Sequence, residues 1–192
     1  MAEAGEDLPG VADLVGVPAS VSDVAAVIAS AKARGGVEGL QQFVTRKFPD
    51  SRNAAEGKVE DVALVALEIV ESVPLMLARA HQEAGERGME DVVLPLLERA
   101  ERYFLTPIDL IPEMTHGLPG LLDDAYLVLR TLEHLDEGPE PFLDWDLDAP
   151  VLFLRGLLGR RMAERLDEIA ADAVEDLRDR LQGIWDRSTH RA

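Results

Sequence analysis

Along almost the whole chain, apolar residues recur at steps of three and four and nowhere alternate with polar ones. A 3.6-residue period places such side chains on one face of a helix, whereas a half-buried strand needs a period of two. The spacing predicts an all-α protein, a compact bundle of about five to seven helices with a long C-terminal helix. Val24, Val27 and Ile28 mark a first helix over about 23–32, capped by Ser20 or Ser22 and ended at Gly35-Gly36. Leu40, Phe43, Val44 and Phe48 mark a second, over about 37–48, stopped by Pro49. A polar loop at 49–57 leads to a third over about 58–86, with Pro74 in its middle and Gly85 and Gly88 at its close. Val93, Leu96, Leu97, Ala100 and Phe104 give a fourth over about 90–104. Leu122, Ala125, Leu129 and Leu132 give a fifth over about 121–135.

The last stripe is the longest. Asp148 stands where a cap belongs and Pro150 in the first turn, where a missing N–H costs nothing. From there Leu154, Leu158, Met162, Leu166, Ile169, Ala173, Leu177, Leu181 and Ile184 follow at a mean step of 3.75 residues, which extends one helix to about Trp185. So narrow a seam suits a helix laid along the body or an arm that pairs with a partner helix. Leu158, Met162, Leu166, Ile169, Leu177, Leu181 and Ile184 are the candidate interaction residues, for a protein partner or for self-association. The chain divides into a loose lead segment at 1–19, a helical domain at 20–148 and this helix at 149–192.

Charge narrows the partners. Lys and Arg number 19 against 37 Asp and Glu, a net −18, and residues 149–192 hold eight of each sign. The entire imbalance therefore lies in residues 1–148. Such a body repels phosphate backbones, so nucleic acid is not an expected partner. No cysteine is present, which removes disulfides, thiolate metal sites and cysteine nucleophiles together. The most apolar run, Val62 to Ala80, is broken by Glu68, Glu71 and Arg79, and no stretch reaches the ~18–20 apolar residues of a membrane span. With no basic leader preceding an apolar run, a cytoplasmic location is expected. Contact with a membrane surface through Val151–Leu158 is a less favoured alternative.

Between the fourth and fifth helices lies YFLTPIDLIPEMTHGLPGLLDD, residues 103–124. Pro107 ends the helix before it, because the residue preceding a proline avoids the α region. Ile108, Leu110 and Ile111 are too apolar for a free loop and are expected in the core. Gly117, Pro119 and Gly120 reverse the chain, and Asp123-Asp124 falls in the first turn of the next helix, where its dipole favours carboxylates. Pro107, Ile108, Asp109, Leu110, Ile111, Pro112 and Glu113, followed by Gly120, Leu122, Asp123 and Asp124, closely resemble the paired motif of the YkvA-like family over roughly residues 92–135. That is a bacterial domain of unknown function. The resemblance implies a helical hairpin and no catalytic residues. The family's usual aromatic and second Ile-Pro are replaced here by Met114-Thr115-His116.

Turn formation and capping account for each of these residues. An alternative has Asp109, Glu113, Asp123 and Asp124 converge across the hairpin to hold Mg²⁺, Mn²⁺ or Ca²⁺, which prefer oxygen ligands. His81, His116, His134 and His190 lack metal-ligand spacing and are expected at the surface. GLPG at 117–120 lacks the Lys-Ser/Thr of a P-loop. Arg155, Arg160, Arg161 and Arg165 form a basic cluster expected to pair with the acidic body. No catalytic constellation emerges, so the chain is expected to be a helical interaction or scaffold protein rather than an enzyme.

Overall fold

The computed structural model describes residues 17–48, 56–106, 117–136 and 141–189, without the side chains of 56–57 and 176–189. Among them are seven α-helices and no strand: α1 Ala19–Ala33, α2 Gly36–Lys47, α3 Glu56–Arg87, α4 Glu90–Leu105, α5 Leu122–Leu135, α6 Asp148–Leu158 and α7 Arg160–Thr189. A four-residue 3₁₀ turn, Leu118–Leu121, leads into α5. The all-α bundle expected from the period is the fold observed.

The ends differ from expectation where local chemistry overrides the stripe. Helix α1 starts before both candidate caps, so Ser20 and Ser22 are helical residues and the cap position is Pro18. Helix α3 begins at Glu56, inside the expected polar loop, and continues through Pro74 to Arg87. It closes on Gly88, whose φ of 64° lies in the left-handed region. There Met89 N–H donates to Ala84 O at 2.8 Å and Gly88 N–H to Gly85 O at 3.2 Å. This 6→1 and 5→2 pair is the Schellman arrangement, and the buried Met89 supplies its apolar contact. A Cβ at Gly88 would meet nothing within 4 Å. Gly88→Ala should therefore cost only the backbone strain, about 1–2 kcal/mol by chemical denaturation.

The expected single helix from Asp148 to about Trp185 is two helices. Gly159 separates α6 from α7 with φ 88° and ψ 152°, a conformation that L-residues avoid. Lys47 Nζ donates to Leu158 O at 2.8 Å across this break and satisfies a carbonyl that the interrupted helix leaves bare.

One core joins all seven helices, from Val21 and Val24 of α1 to Ala173 and Val174 of α7. Helix α5 lies at its centre. Every residue from Leu121 to Leu129 is buried, not the expected stripe of Leu122, Ala125, Leu129 and Leu132 alone. A helix apolar on all sides must be covered on all sides, and α5 packs against α3, α4, α6 and α7. Thr131 fits this setting because its Oγ1 donates to Leu127 O at 2.8 Å. The 3₁₀ turn is buried as well: Pro119 packs on α2 at Gly39, where a Cβ would approach the proline ring to 3.6 Å.

Residues 141–143 are held to the ends of α5 and α3. Asp136 Oδ1 accepts from the Phe142 and Leu143 N–H groups at 2.6 and 2.9 Å. Arg87 donates to Pro141 O at 2.8 Å and lies 5.2 Å from the Phe142 ring centroid. Phe142 is buried and Trp145 half-buried, so both rings pack onto the core.

Candidate functional site

Asp123 and Asp124 occupy the second and third positions of α5, inside the first turn as expected. They are not surface caps. Each is only 7% exposed, and no side-chain cap bond closes this helix start. Burial, with the neighbouring Asp123 charge added, pushes the Asp124 carboxyl up to about 8. At neutral pH Asp124 is therefore largely protonated, a neutral group that can donate.

Asp109 and Glu113, the other half of the candidate metal quartet, lie outside the described residues, as do Pro107, Ile108, Leu110, Ile111, Pro112 and His116. Among the described residues no three His, Asp or Glu side chains gather closely enough to hold a metal ion. Gly120 sits in the 3₁₀ turn, its N–H donating to Gly117 O at 3.2 Å.

A second polar group clasps α5, α6 and α7 together. Asp167 Oδ1 accepts from Tyr126 OH and from Arg130 Nε, both at 2.8 Å, and its Oδ2 accepts from Arg155 Nη1 at 2.8 Å. Arg130 also pairs with Glu133 one turn along α5. Burial first, then the bond to and charge of Asp167, push the Tyr126 phenol up to about 12. It stays a neutral donor and is unsuited to act as a base. The carboxylate is engaged on both oxygens, which describes a structural joint. Arg155 thus pairs with Asp167 on the neighbouring helix, rather than with the acidic body at 1–148.

Two further buried acids lie where α3 meets α4 and the loop. His81 Nε2 is 2.6 Å from Glu101 Oε1, and Glu101 is 1% exposed. His81 is therefore no surface histidine, and His134 is half-buried; His190 lies outside the described residues. Glu83 pairs along α3 with Arg79 and, at 3.0 Å, with Arg87. Spacing could have found two of these acids. Glu101 follows Leu97 by four and precedes Phe104 by three, and Asp167 follows Ala163 by four and precedes Ala170 by three. Both carboxylates therefore fall on or beside the buried stripe of their helix.

The candidate interaction seam divides. Leu158 and Leu166 are buried in the chain's own core, and Met162 and Ile169 are half-buried against it. The first half of the seam is thus docked. Leu177, Leu181 and Ile184 belong to α7, but their side chains lie outside those described. On α6 the candidate membrane face is consumed in the same way: Val151, Leu154, Leu157 and Leu158 are buried, leaving Leu152 exposed. No described helix is long and apolar enough to cross a membrane.

No curated protein and no solved structure matches this chain. Residues 102–129, which run from the last turn of α4 to the middle of α5, match a family described as a protein of unknown function (DUF1232). The match thus takes in the first half of α5 and its paired aspartates.

Proposed function

We propose that this is a non-enzymatic helical interaction protein with a hairpin of the YkvA-like type, and that α7 is the element through which it meets a second chain. The length of α7 carries this reading. At 1.5 Å per residue its 30 residues extend about 45 Å, whereas α4, α5 and α6, against which it packs, extend about 24, 21 and 16 Å. Leu177, Leu181 and Ile184 continue the seam at the same spacing in the second half of α7. A second copy of the chain, or a partner helix, would complete it. Light scattering on the full chain and on Leu177→Asp/Leu181→Asp should return an oligomer for the first and a monomer for the second, with unchanged helicity. A monomer in both cases, with no partner helix recovered, contradicts the proposal.

The buried Asp123-Asp124 pair favours a second reading, in which a divalent cation neutralises it together with Asp109 and Glu113. Calorimetric titration of Mg²⁺, Mn²⁺ and Ca²⁺ into chelator-treated protein tests it, with Asp123→Asn/Asp124→Asn as control. Saturable heat lost in the control supports this reading, and no saturable heat removes it.

A further inference from the structure

The break at Gly159 brings the C-terminal end of α2 against the start of α7 and leaves a cleft of about 930 Å³ between them. Five cations line it: Arg46 and Lys47 from α2, and Arg160, Arg161 and Arg165 from α7, against two carboxylates, Glu164 and Glu168. In a chain of net charge −18, this surplus of positive charge is local and against the trend.

Three of the five cations are not consumed by the fold. Lys47 holds the Leu158 carbonyl, and Arg160 reaches Glu164 only at 3.9 Å, with its side chain 87% exposed. Arg46, Arg161 and Arg165 are exposed, and none of the three has an ion-pair partner among the described residues. Arg161 and Arg165 stand one turn apart, where like charges repel by a few tenths of a kcal/mol. Glu164 and Glu168 offset only two of the five positive charges, so the cleft keeps a net positive charge. The half-buried Phe43 and Met162 complete the wall and give it an apolar side.

We infer that this cleft is a binding site for a small, multiply charged phosphate compound. Guanidinium groups present paired N–H donors that match phosphate oxygens, and a dianion neutralises what a single carboxylate would not. The volume is that of a small-molecule site. A lipid headgroup offers the same phosphate chemistry, but the exposed apolar surface on α6 is reduced to Leu152, which leaves little to enter a bilayer. The soluble source is therefore the one proposed.

The test is calorimetric titration of pyrophosphate into the full chain at low ionic strength, with co-sedimentation on phosphatidylglycerol vesicles as a parallel arm. Saturable binding at one site, weakened by added salt and at least tenfold weaker in Arg161→Glu/Arg165→Glu, is expected. Both residues are exposed, so helicity and thermal midpoint should be unchanged. Lys58→Glu, an exposed cation on α3, should bind as the native chain does. Equal binding by Arg161→Glu/Arg165→Glu, or no saturable heat, overturns the proposal. Vesicle binding without pyrophosphate binding also overturns it, in favour of a lipid surface. None of these outcomes depends on the oligomeric state, so failure here is separable from failure of α7 as an interaction element.

Discussion

Asp124→Asn should raise the thermal midpoint by several degrees at pH 8 and flatten the pH dependence of stability between about pH 4 and pH 8. The folded carboxyl titrates near 8, against 3.8 for an ordinary aspartate, because it is buried beside Asp123. Between those two values the folded chain retains a proton that the unfolded chain has released. Stability must then fall as pH rises through the interval and level off above pH 8. Each unit of displacement is worth about 1.4 kcal/mol, so the effect in the native chain is on the order of a few kcal/mol. Asparagine resembles the protonated acid and removes the titration. Urea denaturation at pH 5 and pH 8 on both proteins measures it. A native chain equally stable at the two values would mean that the carboxylate is ionised and compensated within the fold.

The second large effect belongs to Asp167. Removing this carboxylate leaves the Tyr126 hydroxyl, Arg130 and Arg155 without their shared acceptor at the joint of α5, α6 and α7. Breaking a buried, hydrogen-bonded charge pair by deleting one side costs about 3–5 kcal/mol. Because Asp167 and Arg155 are partly solvated, Asp167→Ala should lie nearer about 2–3 kcal/mol. Tyr126→Phe removes one neutral donor and should cost about 1 kcal/mol. A double-mutant cycle between the two positions should show coupling, since each loss includes the same bond. Additive losses would mean that the tyrosine finds another acceptor.

How far the fold was legible depends on what a side-chain period can carry. Existence and type of each helix follow from steps of three and four, because burial of one face is what produces them. The break at Gly159 does not show in that period: Leu158 and Met162 are four apart whether or not the helix continues between them. Its signal was the glycine itself, following Leu157-Leu158 with Arg155 in the last turn, the pattern of a helix C-terminus. The depth of α5 was hidden by Asp123 and Asp124, which make a helix buried on all sides over its first half look amphipathic at its start. Yet Leu121, Leu122, Ala125, Tyr126, Leu127, Val128 and Leu129 leave no polar face over its first half. The clasp at Asp167 brings together residues up to 41 positions apart, and no local spacing specifies which Tyr and Arg will converge. The basic cluster was visible in α7, but the contribution of Arg46 and Lys47 from α2 required the tertiary fold.

Helix α5, whose first half lies in the segment similar to a family of unknown function, is at the centre of the packing, while the proposed binding surfaces are assigned to α7. Native-state hydrogen exchange tests that division most directly. Amides of α5 from Ala125 to Leu132 should exchange only through global unfolding and share its free energy. Those in the last turns of α7 should open locally at much lower cost. If α5 instead exchanges by local opening while α1 or α2 remains protected, α5 is not the structural centre, and its buried aspartates must be understood as part of a moving site.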